Sequence, residues 1–154
     1  MEITSYITGF TDGEGSFLVS FSIRPTLRAG IEARPSFSLS QHERSKEILS
    51  ELRRYFECGS IRFDRHDQTY KYEVRSLSDL VGRIIPHFKK FPLKTSKSED
   101  FNRFAEICQL MTEQRHRTKE GMKRIVDLAY GMNNLGARRF AKSDLLQEVD
   151  KVKV

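Results

Sequence analysis

The stretch YITGFTDGEGSF, Tyr6 to Phe17, sets two carboxylates, Asp12 and Glu14, among three glycines, Gly9, Gly13 and Gly15. The apolar residues Ile3, Tyr6, Ile7 and Phe10 recur at i, i+3, i+4 and i+7, the spacing of one helix face. That helix starts near Thr4 or Ser5 and is expected to stop at Gly13, where a left-handed glycine cap would fit. An acid just past a helix C-terminus faces the negative end of the macrodipole, and a second copy brought close would repel it further. Glu14 therefore needs a cation. Mg²⁺ suits the place, because it takes a few carboxylates plus substrate phosphate oxygens instead of an all-protein cage. The chemistry this permits is metal-assisted hydrolysis of a phosphodiester.

Ser5, Gly9 and Gly13 are spaced by four, so a small face adjoins the apolar one. Small residues at that interval let a second helix backbone approach closely, although packing within the chain or a simple helix stop would also explain them. From Ser16 the period changes to two. Phe17, Val19, Phe21 and Ile23 alternate with Ser16, Leu18, Ser20, Ser22 and Arg24, as a strand buried on one face requires. After a turn over Pro25 to Gly30, Phe37 and Leu39 point inward while Arg34, Ser36, Ser38 and Ser40 point outward.

Glu43 to Cys58 is helical in period, with Gly59 just beyond it. SIRFDR and YKYEVR then flank His66-Asp67-Gln68 as a second hairpin, whose outer face carries Arg62, Asp64, Lys71, Glu73 and Arg75. Further helices are expected over Leu77 to Phe91, kinked or ended by Pro86, over Phe101 to Met111 and over Glu120 to Tyr130, with an irregular polar tail after Met132. Hairpins separated by helices imply an α+β fold whose antiparallel sheet has one uncovered face. The serines, arginines and lysines on that face can hold phosphates or read base edges, or they can simply be solvated.

The whole-chain properties agree with this reading. A length of 154 residues is that of one domain, expected to span 1–154, and the net charge of +6 favours a polyanionic partner. Cys58 and Cys108 stand far apart and outside any metal-binding spacing, so a zinc site or disulfide framework is not expected. With no apolar run of spanning length and no secretory signal, the expected setting is intracellular, in an organelle or a prokaryotic cytoplasm.

The opening motif resembles the signature of the LAGLIDADG homing endonucleases, and FPLKTSKSEDF and HRTKEGMKRIVDLAYGMN resemble that family's later segments. The resemblance implies an αββαββα(αα) fold with a saddle-shaped, four-stranded antiparallel sheet. One motif per chain implies a homodimer that packs its two motif helices through Ser5, Gly9, Asp12 and Gly13 over a long, near-palindromic DNA site. Two-fold symmetry then makes one acid per chain into a pair.

The same resemblance implies that Glu14 and the backbone carbonyl of Gly13 bind the catalytic metal, Mg²⁺, with Mn²⁺ or Ca²⁺ able to substitute in binding. Asp12 is left with a role in capping or dimer contacts. Gln41 matches a glutamine that orders the nucleophilic water. Ser45 stands where some members have an arginine, so either Arg44 or Lys46 substitutes for it or the water network differs. Lys97, with Lys94 as the alternate, matches a lysine near the scissile phosphate. The candidate DNA contacts are Ser20, Ser22 and Arg24, then Arg34, Ser36, Ser38 and Ser40, then Arg62, Lys71, Glu73 and Arg75. The implied activity is a staggered double-strand break with 5′-phosphate and 3′-hydroxyl ends. The alternatives are an RNA maturase assisting splicing of its host intron, and a cleavage-inactive DNA-binding protein of the same fold.

Overall fold

Ile3–Glu14 forms the first helix, α1, in a computed structural model that describes residues 2–132 and 138–153. It ends without a left-handed glycine. Gly13 lies inside the helix, and the cap is Gly15, which is already extended at φ −78° and whose N–H donates to the Thr11 carbonyl. The chain passes straight into strand β1, Gly15–Ile23, so the backbone needs no turn after Glu14.

The apolar spacing of α1 marks a face, but it is not the face the chain buries. Ile7, Thr8 and Thr11 are inside, whereas Ile3 is 42% and Tyr6 38% exposed. The Tyr6 and Phe10 rings stack at 6.0 Å on the outer side. The apolar face expected of Ile3, Tyr6, Ile7 and Phe10 is therefore one that the single chain covers only in part, at Ile7 and Phe10. Thr8 and Thr11 are buried beside Ile7, Phe10 is half-buried, and Ile3 and Tyr6 are exposed.

Strand β2, Ile31–His42, follows a turn closed by Arg24 N–H donating to the Gly30 carbonyl at 2.9 Å. A 3₁₀ turn, Glu43–Ser45, and helix α2, Glu47–Phe56, lead into strands β3, Ser60–Asp64, and β4, Thr69–Val74. The strands are hydrogen-bonded in the order β1-β2-β4-β3, with β4 antiparallel to both β2 and β3. Helix α3, Leu77–Asp79, runs through a π turn, Leu80–Ile84, into α4, Ile85–Lys90. Pro86, at the start of α4, neither ends the helix nor passes unnoticed. It has no N–H to give and its ring crowds the preceding turn, and the wider π turn absorbs both.

Helices α5, Lys97–Thr112, α6, Lys119–Tyr130, and α7, Lys142–Lys151, complete the order. Helix α7 corrects the expectation of an irregular tail, part of which lies outside the described residues. Its Leu145 and Val149 are fully buried, one turn apart. The close approach is visible at Gly30, which has φ +80° and where a Cβ would come within 2.8 Å of the Glu148 carbonyl.

By contacts the chain divides into two compact units, Met1–Phe17 with Ser36–Ser98, and Leu18–Pro35 with Glu99–Val154. In the first, Phe37 packs its ring against Phe17, Phe56 and Phe88 at 5.2 to 6.2 Å, and Leu39, Leu49, Leu52 and Ile84 are buried as well. In the second, Phe21 meets Tyr130, and Arg138 stacks over the Tyr130 ring at 4.3 Å while donating to the Val19 carbonyl.

A buried polar chain ties α1 into the first unit. Thr8 Oγ1 donates its one proton to the Phe91 carbonyl at 2.9 Å, so it must accept from His87 Nε2–H at 3.0 Å. His87 Nδ1 then accepts from the Tyr55 hydroxyl at 2.8 Å. Desolvation drives the His87 imidazole down to about 4, well below its ordinary value of 6.5. The unfolded chain therefore takes up a proton near pH 6.5 that the native chain refuses until about pH 4. Stability from this group is complete above pH 6.5 and is lost as the pH falls through that window. Urea melts between pH 7.5 and 4.5 should show a steeper acid loss for the native chain than for His87→Gln, which keeps a donor and an acceptor but cannot titrate. Equal slopes would contradict a buried neutral His87.

Candidate functional site

The end of α1 and the segment before α5 hold each other through reciprocal hydrogen bonds. The Asp12 carboxylate accepts from Lys94 N–H at 2.8 Å, from Thr95 N–H at 3.2 Å and from the Thr95 hydroxyl at 2.8 Å. In return Lys97 Nζ donates to the Thr11 carbonyl at 2.9 Å and the Asp12 carbonyl at 3.1 Å. An ammonium on the last carbonyls of a helix meets the negative end of its dipole. Burial alone would raise the Asp12 carboxyl, but the bonds from Lys94 and Thr95, with the Lys97 charge, together hold it below its ordinary value.

Asp12 is thus spent on the chain's own backbone, and Glu14 stands exposed beside it. The structure brings the Lys97 ammonium to the helix end that carries Glu14, whereas Lys94 meets that end through its backbone N–H and its side chain is exposed. Thr95, which the sequence reading passed over, links the two lysines. Its hydroxyl donates to Asp12 and accepts from Lys97 N–H at 3.2 Å. A Thr two residues before a helix was the available signal.

Gln41 lies near the end of β2, half-buried and in register with Tyr70. Among the described residues no hydrogen bond joins it to Glu14 or to Lys97. Lys46, one of the two candidates to replace the arginine, holds its amine 5.3 Å over the ring of Tyr70, the residue paired with Gln41 across the strands.

The outer sheet face carries rows of polar side chains. Ser40, Lys71 and Arg62 lie in one register row and Ser38, Glu73 and Ser60 in the next. Lys71 directly opposite Arg62 is a like-charge pair, unfavourable for a sheet in water and favourable for one that meets an anion. Glu73 is mostly covered. Its Oε1 lies 3.7 Å from Arg62 Nε and 3.2 Å from Arg75 Nε, and both arginines are over half exposed. Arg24 Nη1 is paired with Glu32 Oε2 at 3.1 Å, Ser22 donates to the same oxygen, and the Ser20 hydroxyl reaches the Arg34 carbonyl. Exposed pairs of this kind contribute little stability, so an incoming phosphate or base can replace the carboxylate easily.

Ser36 corrects the outward set. Its parity is that of Ser38, but it is only 8% exposed. Pro35, Ser36 and Phe37 are buried in succession, so alternation alone overstates the reach of Ser36. The reverse holds for Leu18, an outward position not taken as a contact, which is 38% exposed and could pack on a thymine methyl. Helix α1 also exposes Gly9 and Gly13, where an added Cβ would meet nothing within 4 Å.

The family described as LAGLIDADG endonuclease matches residues 7–108. A probable intron-encoded endonuclease of Neurospora crassa is 35% identical over 130 residues, covering 84% of this chain and 29% of that protein. The chain spans under a third of the length of such fungal relatives. The crystal structure of a homing endonuclease, I-TnaI, superposes with a TM-score of 0.85 at 34% identity, covering 99% of this chain and 100% of that one. I-SmaMI bound to an uncleaved DNA target in the presence of calcium ions gives 0.86 at 27% identity, covering 98% of this chain and 50% of that one.

Proposed function

This chain belongs to the LAGLIDADG endonuclease family, and on that premise we propose that it is a homodimeric, Mg²⁺-dependent, site-specific DNA endonuclease. The observation that carries the reading is the exposed Glu14 carboxylate at the junction of α1 with β1, beside a Lys97 ammonium seated on the carbonyls of Thr11 and Asp12. Hard oxygen donors, a carboxylate and a helix-end carbonyl, fit a Mg²⁺ ion at the negative end of a helix. Glu14 and the Gly13 carbonyl would hold it, and substrate phosphate oxygens would complete the shell. When bound, the ion would polarise the phosphodiester and make a neighbouring water more acidic. A structural neighbour bound to its uncleaved DNA target in the presence of calcium ions supports the metal requirement, and Mg²⁺ is our specific assignment.

The chain's own residues divide the remaining work. Gln41 orients the attacking water, and Lys97 or Lys94 meets charge building on the scissile phosphate. No covalent enzyme intermediate is needed, because water is the nucleophile. The exposed sheet face docks in the major groove. There each arginine bidentate to guanine adds about 1–3 kcal/mol of discrimination, while Lys71 and the remaining cations add salt-dependent affinity. Two chains related by a two-fold axis would cut one phosphate on each strand, giving a staggered break with 5′-phosphate and 3′-hydroxyl ends at a near-palindromic site.

A cleavage selection on a randomised duplex library with Mg²⁺ tests this directly. It should recover one long site with approximate two-fold symmetry. If no sequence is cut while an intron RNA is bound tightly, the maturase reading replaces this one.

A further inference from the structure

Asp12 and Lys97 close a ring. The Asp12 carboxylate fixes the backbone at Lys94 and Thr95, the Thr95 hydroxyl passes from Asp12 to Lys97 N–H, and Lys97 Nζ returns to the carbonyls of Thr11 and Asp12. We infer that Asp12 is a positioning residue, whose carboxylate seats the Lys97 ammonium at the helix end that presents Glu14. The inference rests on the endonuclease reading and goes beyond it, since that reading gave Asp12 only capping or dimer contacts.

The chemistry explains why an acid stands there. A neutral amide could accept the two bonds now made to Oδ1, but its NH₂ would face the Lys94 N–H instead of accepting from it. It would also remove the negative charge that counters the Lys97 ammonium. A lysine side chain is long and readily rotated, so where its ammonium sits depends on how its backbone stem is held. The carboxylate fixes the first turn of α5 through Thr95, and with it the stem from which Lys97 reaches back. A cation fixed before the phosphate arrives costs no reorganisation when charge develops. Misplacement by about 1 Å at such a site can lower the rate by about 10²-fold.

The test uses the 154-residue chain, the duplex recovered by the native protein, and three variants, Asp12→Asn, Lys97→Met and the double substitution. Asp12→Asn should lower the single-turnover rate at saturating DNA by about 30- to 300-fold, while the Kd measured in Ca²⁺ moves less than about 3-fold. In the Lys97→Met background the same change should cost almost nothing more, because a residue acting through Lys97 has nothing left to position. Additive losses, an unchanged rate, or equal losses of rate, affinity and Tm would overturn the inference. An independent reading comes from ¹⁵N-lysine NMR, in which exchange of the Lys97 ammonium protons should speed up in Asp12→Asn. Unchanged exchange would also overturn it. If the native chain cuts nothing, the endonuclease reading fails on its own, and the exchange measurement still decides whether Asp12 seats Lys97.

Discussion

Glu14→Gln should leave a protein that binds its target and does not cut it, with single-turnover cleavage reduced by about 10³-fold or more. Gln keeps the length and polarity of the side chain at the exposed end of α1, so folding and docking are preserved. Only the charge goes, and with it the attraction for a divalent cation. Affinity measured by gel shift at fixed salt should stay within a few-fold of native, and any change should be toward tighter binding, because one anion has left the neighbourhood of the phosphates. The contrast with Asp12→Asn is useful. That variant should retain a measurable rate, because it weakens the placement of Lys97 and leaves the donor set at Glu14 intact. Normal cutting by Glu14→Gln would remove Glu14 from the reaction.

Most of the architecture was legible because it rests on periodicity. The hairpin of β3 and β4, helix α2 and the two strands with alternating inner aromatics appear close to where the spacing of apolar residues puts them. What escaped has physical causes. On α1 the spacing located a face without saying who covers it, and Ile3 and Tyr6 on that face are exposed in the single chain. Helix α7 carries only Leu145 and Val149 as its buried pair, too thin a pattern to outweigh its charges, and its docking depends on the space left at Gly30. At Ser36 alternation predicted direction but not depth.

The site was legible in part. Glu14 followed from the motif, but the choice between Lys97 and Lys94 turned on a gap in the resemblance. The structure separates the two by their partners, giving the Lys97 ammonium two α1 carbonyls and Lys94 a backbone tie to Asp12. Such a ring joins side chains more than eighty positions apart, and no local pattern encodes it.

The exposed face of α1 leads to the second large effect, Gly9→Leu, which should abolish assembly without weakening the fold of a single chain. A Cβ at Gly9 or Gly13 meets nothing within 4 Å, and both lie inside a helix, where leaving glycine favours the helical state by roughly 0.5–1 kcal/mol. The melting of the isolated chain should therefore hold or rise. Across a close pair of helices the same leucine would occupy the space a partner backbone needs. Ile3 and Tyr6, exposed in the single chain, would flank that contact and lose their cover with it. Sedimentation should show a monomer, and double-strand cleavage should disappear at concentrations where the native chain cuts both strands. Gly15→Ala supplies the opposite case, since a Cβ there would come within 2.5 Å of Thr11 Cγ2 and 2.8 Å of the Thr11 carbonyl, damaging the chain before any partner arrives. A Gly9→Leu chain that still sediments as a dimer would place the two-fold contact somewhere other than α1, and the pairing of Glu14 with its symmetry mate would fall with it.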